Sequence, residues 1–472
     1  MTRSRNQLIV LAAAISCISF SYPAYAQMAG YSGGSSLSLD TLPGEKGSGA
    51  FGSEAIADIM RPTLIMKQAL KWRDKVDKIR TGKGRPVALD EKSVIAVGLM
   101  QPSVDLMKEK KYDEVLSNLK KIEMTGSDDP EVKFFVQRMR AAVAYASGND
   151  ALFAQSMEDV VAANQSSPED QMLYVQVLSY EYAKLKNQPK TIEWTSRYLT
   201  EGGTEPVMRT RLIHAYYRNN EFANAARELR ADIVADEAAG KTPAQQDLRL
   251  LASAELKAGN KAGYNSAIEK SVTYYPKKED WAELLNNVLS KQEFHEELGL
   301  DVYRLMYKTT PFTTSKDYMD MAQLALQTGY PAEAKDVLSK GFKAGILGNG
   351  GDAVSQKQLL KIATQRAAVK PKALAREEAE FLKTKDGGGL AQVGYVYVTN
   401  GEYEKGIKLI EQGVAIGGMK RPDIAKLHLG IAKALAGRNG DAIQTLKTVQ
   451  GMDGTADLAR SWTIYLSSLP TS

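Results

Sequence analysis

Cysteine is nearly absent from this chain. Cys17 is the only one in 472 residues, which excludes an internal disulfide and any metal site built on several thiolates. Histidine is almost as scarce: His214, His295 and His428 are the only three, separated by 81 and 133 residues. If distant segments stay apart, those three cannot share a metal ion, and no cofactor site is expected. One sign of charge does not dominate, since 61 Lys and Arg stand against 56 Asp and Glu for a net +5. That balance lacks the basic footprint of a nucleic-acid binder. Alternation of polar and apolar residues long enough for a strand is missing too, which argues against a sheet. Apart from Leu8–Phe20, no long apolar run stands out, and that one is about a dozen residues, short of the roughly 20 a membrane span needs.

The apolar run belongs to an N-terminus with the three parts of a secretory signal. Arg3 and Arg5 precede it, and Ala24-Tyr25-Ala26 offers small residues for cleavage before Gln27. Residues 1–26 therefore read as a signal peptide, and the mature chain as exported to the periplasm or cell envelope. Cleavage takes Cys17 and two positive charges with it, lowering the balance from +5 to +3. Residues 27–52 are dominated by Gly and Ser and too poor in bulky apolar groups to offset their ordering entropy, so they read as a disordered tether. In residues 53–91, Ile65, Ala69, Trp72, Val76 and Ile79 mark one face of a helix whose other faces carry Lys67, Lys71, Arg73, Lys75 and Lys78. Such a basic amphipathic helix covers the open end of a repeat array, or touches a membrane surface through residues 62–85.

From about residue 92 a pattern recurs. Ser103, Ala141, Leu178, Ile213, Ala252, Leu285, Ala322, Gly394 and Gly430 follow one another at steps of 38, 37, 35, 39, 33, 37, 72 and 36 residues. The 72 is two periods with a degenerate unit between them. A period in this range means stacked helical hairpins. Turn residues recur in phase at Gly148-Asn149, Asn219-Asn220, Gly259-Asn260, Gly329-Tyr330, Asn400-Gly401 and Gly437-Arg438. Prolines at Pro130, Pro168, Pro206 and Pro276 fall where one hairpin gives way to the next.

The clearest unit carries Gly394, Tyr397, Gly401, Tyr403, Gly406, Ile410 and Gly413. Others show Leu212, Tyr216, Phe222, Ala225 and Leu229; Leu251, Ala252, Gly259, Ile268 and Pro276; and Ala322, Ala325, Gly329, Ala334 and Leu338. Another has Leu429, Gly430, Gly437, Ala442 and Leu446, with Lys433 where an aromatic is expected. This alternation of small and bulky positions resembles the tetratricopeptide repeat over residues 92–450. The resemblance implies an all-α chain: a right-handed α-solenoid of about ten hairpins, open and elongated. Residues 354–370 and 373–384 read as two helices after an irregular Gly-rich segment, and residues 451–472 as a C-terminal capping helix.

Catalytic motifs fail on context. Gly30-Tyr31-Ser32-Gly33-Gly34 has the spacing of a nucleophile elbow but no strand before it. Gly348–Ala353 imitates a dinucleotide loop without a βαβ unit around it. Paired carboxylates such as Asp128-Asp129, Glu296-Glu297 and Glu377-Glu378 read as solvated helix faces. The chain therefore reads as a non-enzymatic scaffold. In tetratricopeptide-like proteins the first helix of each hairpin lines the concave side, and the resemblance places Arg138, Tyr145, Tyr182, His214, Tyr217, Arg218, Arg249, Lys257, Gln323 and Tyr395 there. A groove of Tyr, Arg and Lys suits a protein or peptide partner, as an extended acidic segment or a chain's C-terminal carboxylate, or a polysaccharide stacked on tyrosine rings. Direct carbohydrate or peptidoglycan binding is the alternative. Likeness to exported repeat proteins points to envelope assembly, surface-polysaccharide export or appendage biogenesis.

Overall fold

The computed structural model describes residues 91–470, together with Lys78. The signal peptide, the tether and, apart from Lys78, the basic helix expected at 62–85 lie outside the described residues, as do Cys17 and Ser32. Every regular element among the described residues is helical. They divide into two compact units.

One unit holds the described residues up to Lys241, with Ser253–Asn260. It contains α1 (Glu91–Lys108), α2 (Tyr112–Met124), α3 (Pro130–Ser147), α4 (Asp150–Ala163), α5 (Pro168–Lys184), α6 (Gln188–Thr200), α7 (Pro206–Arg218) and α8 (Phe222–Ala238). Successive helices pair as hairpins. Pro130, Pro168 and Pro206 each open a helix, where a missing N–H costs least. The Asp129, Asn149, Ser167 and Asn187 side chains accept from the first-turn N–H groups of α3, α4, α5 and α6. Gly148 ends α3 at φ +73°, a left-handed turn that glycine takes without strain. Phe153, Met157, Leu178 and Met208 belong to one continuous core, and at the α5–α6 crossing the hydroxyls of Ser179 and Thr195 lie 2.6 Å apart.

The other unit holds Thr242–Ala252 and the described residues from Lys261 onward. In sequence, α9 (Gln245–Lys257) covers the junction, and α10 (Lys261–Tyr274), α11 (Lys278–Leu289) and α12 (Gly299–Thr309) follow. Next come α13 (Ser315–Gln327), α14 (Pro331–Lys343), α15 (Ala353–Thr384), α16 (Gly387–Thr399), α17 (Tyr403–Ile416), α18 (Pro422–Leu435), α19 (Asn439–Leu446) and α20 (Thr455–Ser468). Hairpins α13–α14, α16–α17 and α18–α19 keep the repeat form. All nine residues that set the repeat register are buried. The α16–α17 crossing is the tightest. A methyl group at Gly394 would sit 2.8 Å from the Gly406 carbonyl oxygen, and one at Gly413 would sit 2.5 Å from that of Gly387. Only hydrogen fits there. Lys433, in place of the expected aromatic, buries its stem and reaches Glu411 at 3.1 Å and Thr445 at 3.2 Å.

Two expectations change. Residues 354–384 form one helix, α15, rather than two. Gln356, Ala363 and Leu374 are buried at steps of 7 and 11 residues, two and three helical turns, so a single stripe runs past position 371. The Gly-rich segment before this helix is irregular as expected, a turn between α14 and α15 tied by the Gly348 N–H to Gln356 Oε1 at 2.7 Å. The second change concerns distance. Within this unit the chain returns on itself, so large sequence separation does not keep repeats apart. Helix α20 packs on α18 and α19, and also on α10, α11 and α12. Arg460 donates to Glu269 at 3.1 Å, Lys291 pairs with Asp457 at 2.9 Å, and the His295 N–H donates to the Asp453 carbonyl at 3.0 Å. The segment expected to cap an end joins two distant stretches instead.

Candidate functional site

The return of the chain gathers charged and aromatic side chains from four places. Helix α12 reads GLDVYRLMYKT, and Gly299 through Met306 are all buried, including Asp301 and Arg304. They lie one turn apart, so both project from the same side. Arg304 forks onto Glu333 of α14, donating from Nε at 2.8 Å and Nη2 at 2.6 Å, while Nη1 donates to Asp301 Oδ1 at 2.6 Å. Its guanidinium lies 4.8 Å from the Tyr330 ring centre and 4.7 Å from that of Tyr395. Helix α18 supplies His428, whose Nε2 is 3.0 Å from Asp301 Oδ2. An ionised carboxylate only accepts, so Nε2 carries the proton of that bond. The imidazole stacks on Tyr395 at 4.1 Å and 11°.

Burial works to raise the Asp301 carboxyl, but His428 and Arg304 outweigh it and hold the group below the ordinary carboxylate range. Burial likewise opposes the charge on Arg304, yet Glu333 and Asp301 keep it protonated well above its usual range. The Tyr330 and Tyr395 hydroxyls are pushed upward by burial, so both stay neutral. Tyr395 is fully buried and its hydroxyl finds no hydrogen-bond partner among the described residues.

Beside this cluster lies a cavity of about 250 Å³, lined by Glu297, Asp301, Arg304, Tyr330, Gln392 and His428, with Leu300, Thr328 and Ile424. Gln392 donates to the Tyr330 hydroxyl at 3.2 Å. No set of three His, Cys, Asp or Glu side chains is placed to hold a metal among the described residues.

The ten residues assigned to a concave face are dispersed. Arg138, Tyr182, His214, Tyr217 and Tyr395 are buried, Arg218 and Arg249 half-buried, and Tyr145, Lys257 and Gln323 exposed. For the buried five, packing is what their bulk does: on hairpins this close, large first-helix side chains fill gaps between neighbours. Burial, then the Glu158 carboxylate, raises the Tyr182 hydroxyl to about 12. Tyr217 and Lys257 do meet, with Nζ 4.8 Å from the ring centre and the Tyr217 hydroxyl 2.6 Å from Ser253 Oγ. Tyr395 joins the charged cluster through His428 and Arg304 but is not among the residues that line the cavity.

Asp301, Arg304, Tyr330, Glu333 and Gln392 were not singled out from the sequence. No sequence signal marked them: Asp301, Arg304 and Lys308 follow at spacings of 3 and 4, the pattern of a solvated helix face, and only the structure shows Asp301 and Arg304 buried and paired.

The fold is one of tetratricopeptide-like hairpins. No known family profile matches the chain, and no curated relative does. Among solved structures it is similar to Naa15/Naa10 bound to HypK-THB, at 13% identity over 77% of this chain and 70% of that one, TM-score 0.26. It is similar to yeast Tom70 at 11% identity over 80% and 96%, TM-score 0.18. A third is the APC/C heterotetramer Cut9–Hcn1, at 13% identity over 77% and 66%, TM-score 0.18. At such scores none of the three fixes how the hairpins are arranged here. The fold is read from this chain's own helices.

Proposed function

We propose that this protein is a non-enzymatic scaffold, exported through a signal peptide cleaved after Ala26, that binds a protein or peptide partner in the cell envelope. One observation carries the reading: the nine in-phase positions are all spent between helices. Hairpins built that way repeat their outward faces in register, and repeated faces are what extended partners are read by. Tyr145, Lys257 and Gln323 are exposed on those faces, with Arg218 and Arg249 half-exposed. Envelope assembly or surface-polysaccharide export is the setting in which such a scaffold works.

The test is crosslinking in intact cells from photoreactive residues placed at positions 145, 257 and 323. A discrete protein adduct from at least one position is the expected result. Saturable glycan binding by the purified protein, with no protein adduct from any position, would replace this reading with direct carbohydrate recognition. Amino-terminal sequencing of the mature protein should begin at Gln27; an intact N-terminus would refute export by cleavage.

A further inference from the structure

The cavity beside Arg304 has a chemistry of its own. Three carboxylates, Asp301, Glu297 and Glu333, lie on it or on Arg304, against one guanidinium and one imidazole. Arg304 directs donors at both Asp301 and Glu333, so its charge is already matched. Asp301 receives one donor on each oxygen. What is left over is an excess of acceptors. Glu297 stands at the rim with its side chain 69% exposed and its carboxylate 3.7 Å from His295 Nδ1. Gln392 spends its amide N–H on Tyr330, which leaves its carbonyl oxygen to accept. Leu300 and Ile424 add apolar wall.

An anion entering here would meet the Glu297 carboxylate and a surround in which Asp301 and Glu333 already outnumber the one guanidinium, and a neutral polyol would leave that charge unanswered. A cation on an apolar stem satisfies both halves of the lining. We infer that the cavity takes an alkylammonium group, supplied by a lysine side chain of the bound partner, with the stem against Leu300 and Ile424. The ammonium then donates to Glu297, the Gln392 carbonyl and Asp301. The choice of a partner's lysine, rather than a free amine, rests on the scaffold reading above.

The experiment is a calorimetric titration of the full-length protein with Nα-acetyl-lysine methylamide. The norleucine and glutamate analogues and n-butylamine serve as comparisons. The lysine analogue should bind saturably, and the norleucine and glutamate analogues at least tenfold more weakly. Glu297→Gln should weaken lysine binding about tenfold, equivalent to ~1.4 kcal/mol. Because Glu297 is exposed, its thermal unfolding and helical circular dichroism should match the unmodified protein. Absence of saturation by the lysine analogue, equal binding of norleucine or glutamate analogues, or indifference to Glu297→Gln each overturns the inference. Should n-butylamine bind as tightly as the lysine analogue, the alkylammonium assignment holds and the partner's lysine is overturned as its source. A partner crosslinked at the exposed faces, with no lysine binding, removes the pocket assignment alone. Lysine binding with no partner adduct removes the scaffold reading and with it the partner's lysine as the source, and leaves the alkylammonium assignment standing.

Discussion

Arg304 is held by two carboxylates and two aromatic rings, and it shows how a buried charge is tolerated. Each group alone would be costly to desolvate, and together they repay that cost only while complete. Arg304→Met should therefore destabilise the protein by about 3–5 kcal/mol, because it strands Asp301 and Glu333. Urea denaturation measures the loss, and hydrogen exchange should place it in residues 299–309 and 422–435. Tyr395→Phe should behave differently. Its hydroxyl has no hydrogen-bond partner among the described residues, so removal should be neutral or stabilising, by up to about 1 kcal/mol. A loss above 2 kcal/mol in thermal unfolding would refute that account. Asp301 also sets a pH dependence. Its folded carboxyl is held below the ordinary range, so it stabilises the fold above the unfolded value near 4 and loses that stabilisation as pH falls further. The α12–α18 contact should loosen below about pH 4, and Asp301→Asn should flatten that part of the profile, as read by hydrogen exchange.

At the scale of elements, the recurring small residues decide how closely helices cross. Gly430 faces Leu446 across the α18–α19 hairpin, and a methyl group there would lie 2.6 Å from Leu446 Cδ2. Gly430→Trp should cost about 1–3 kcal/mol or more from overpacking. Hydrogen exchange should show the damage in residues 422–468 and, through α20, in residues 261–309, while residues 91–200 keep their protection. Uniform loosening of the whole chain would contradict a repeat in which stability is nearly a sum over neighbours. The period, the turn glycines and the first-turn prolines were readable from sequence because they are local demands of backbone geometry. The continuity of α15 was not. Reading it required knowing that Gln356, Ala363 and Leu374 are all buried along one stripe, a fact of packing.

At the scale of the molecule, the decisive feature is the return of α20 to α10, α11 and α12 within one unit. Lys291–Asp457 and Arg460–Glu269 are partly exposed pairs, each worth little alone. Burial of Leu458, Trp462 and Leu466 holds the helix in place. Trp462→Ala should cost about 3–5 kcal/mol. Ending the chain before Thr455 should expose residues 261–309 to proteolysis as well as residues 422–446. Retained protection at 261–309 would show that the return contributes nothing to stability.

From the sequence alone follow the helical class, the hairpin period and the small-residue crossings, because each is set within a single hairpin and recurs in the next. Which charges meet was decided only by tertiary structure. Asp301 and His428 are 127 residues apart within one unit, and no periodic pattern encodes a contact between residues that far along the chain. The same distance hid the cavity: its lining is assembled from α12, α16, α18 and the segments around Glu297 and Thr328–Tyr330, none of which carries a ligand motif by itself.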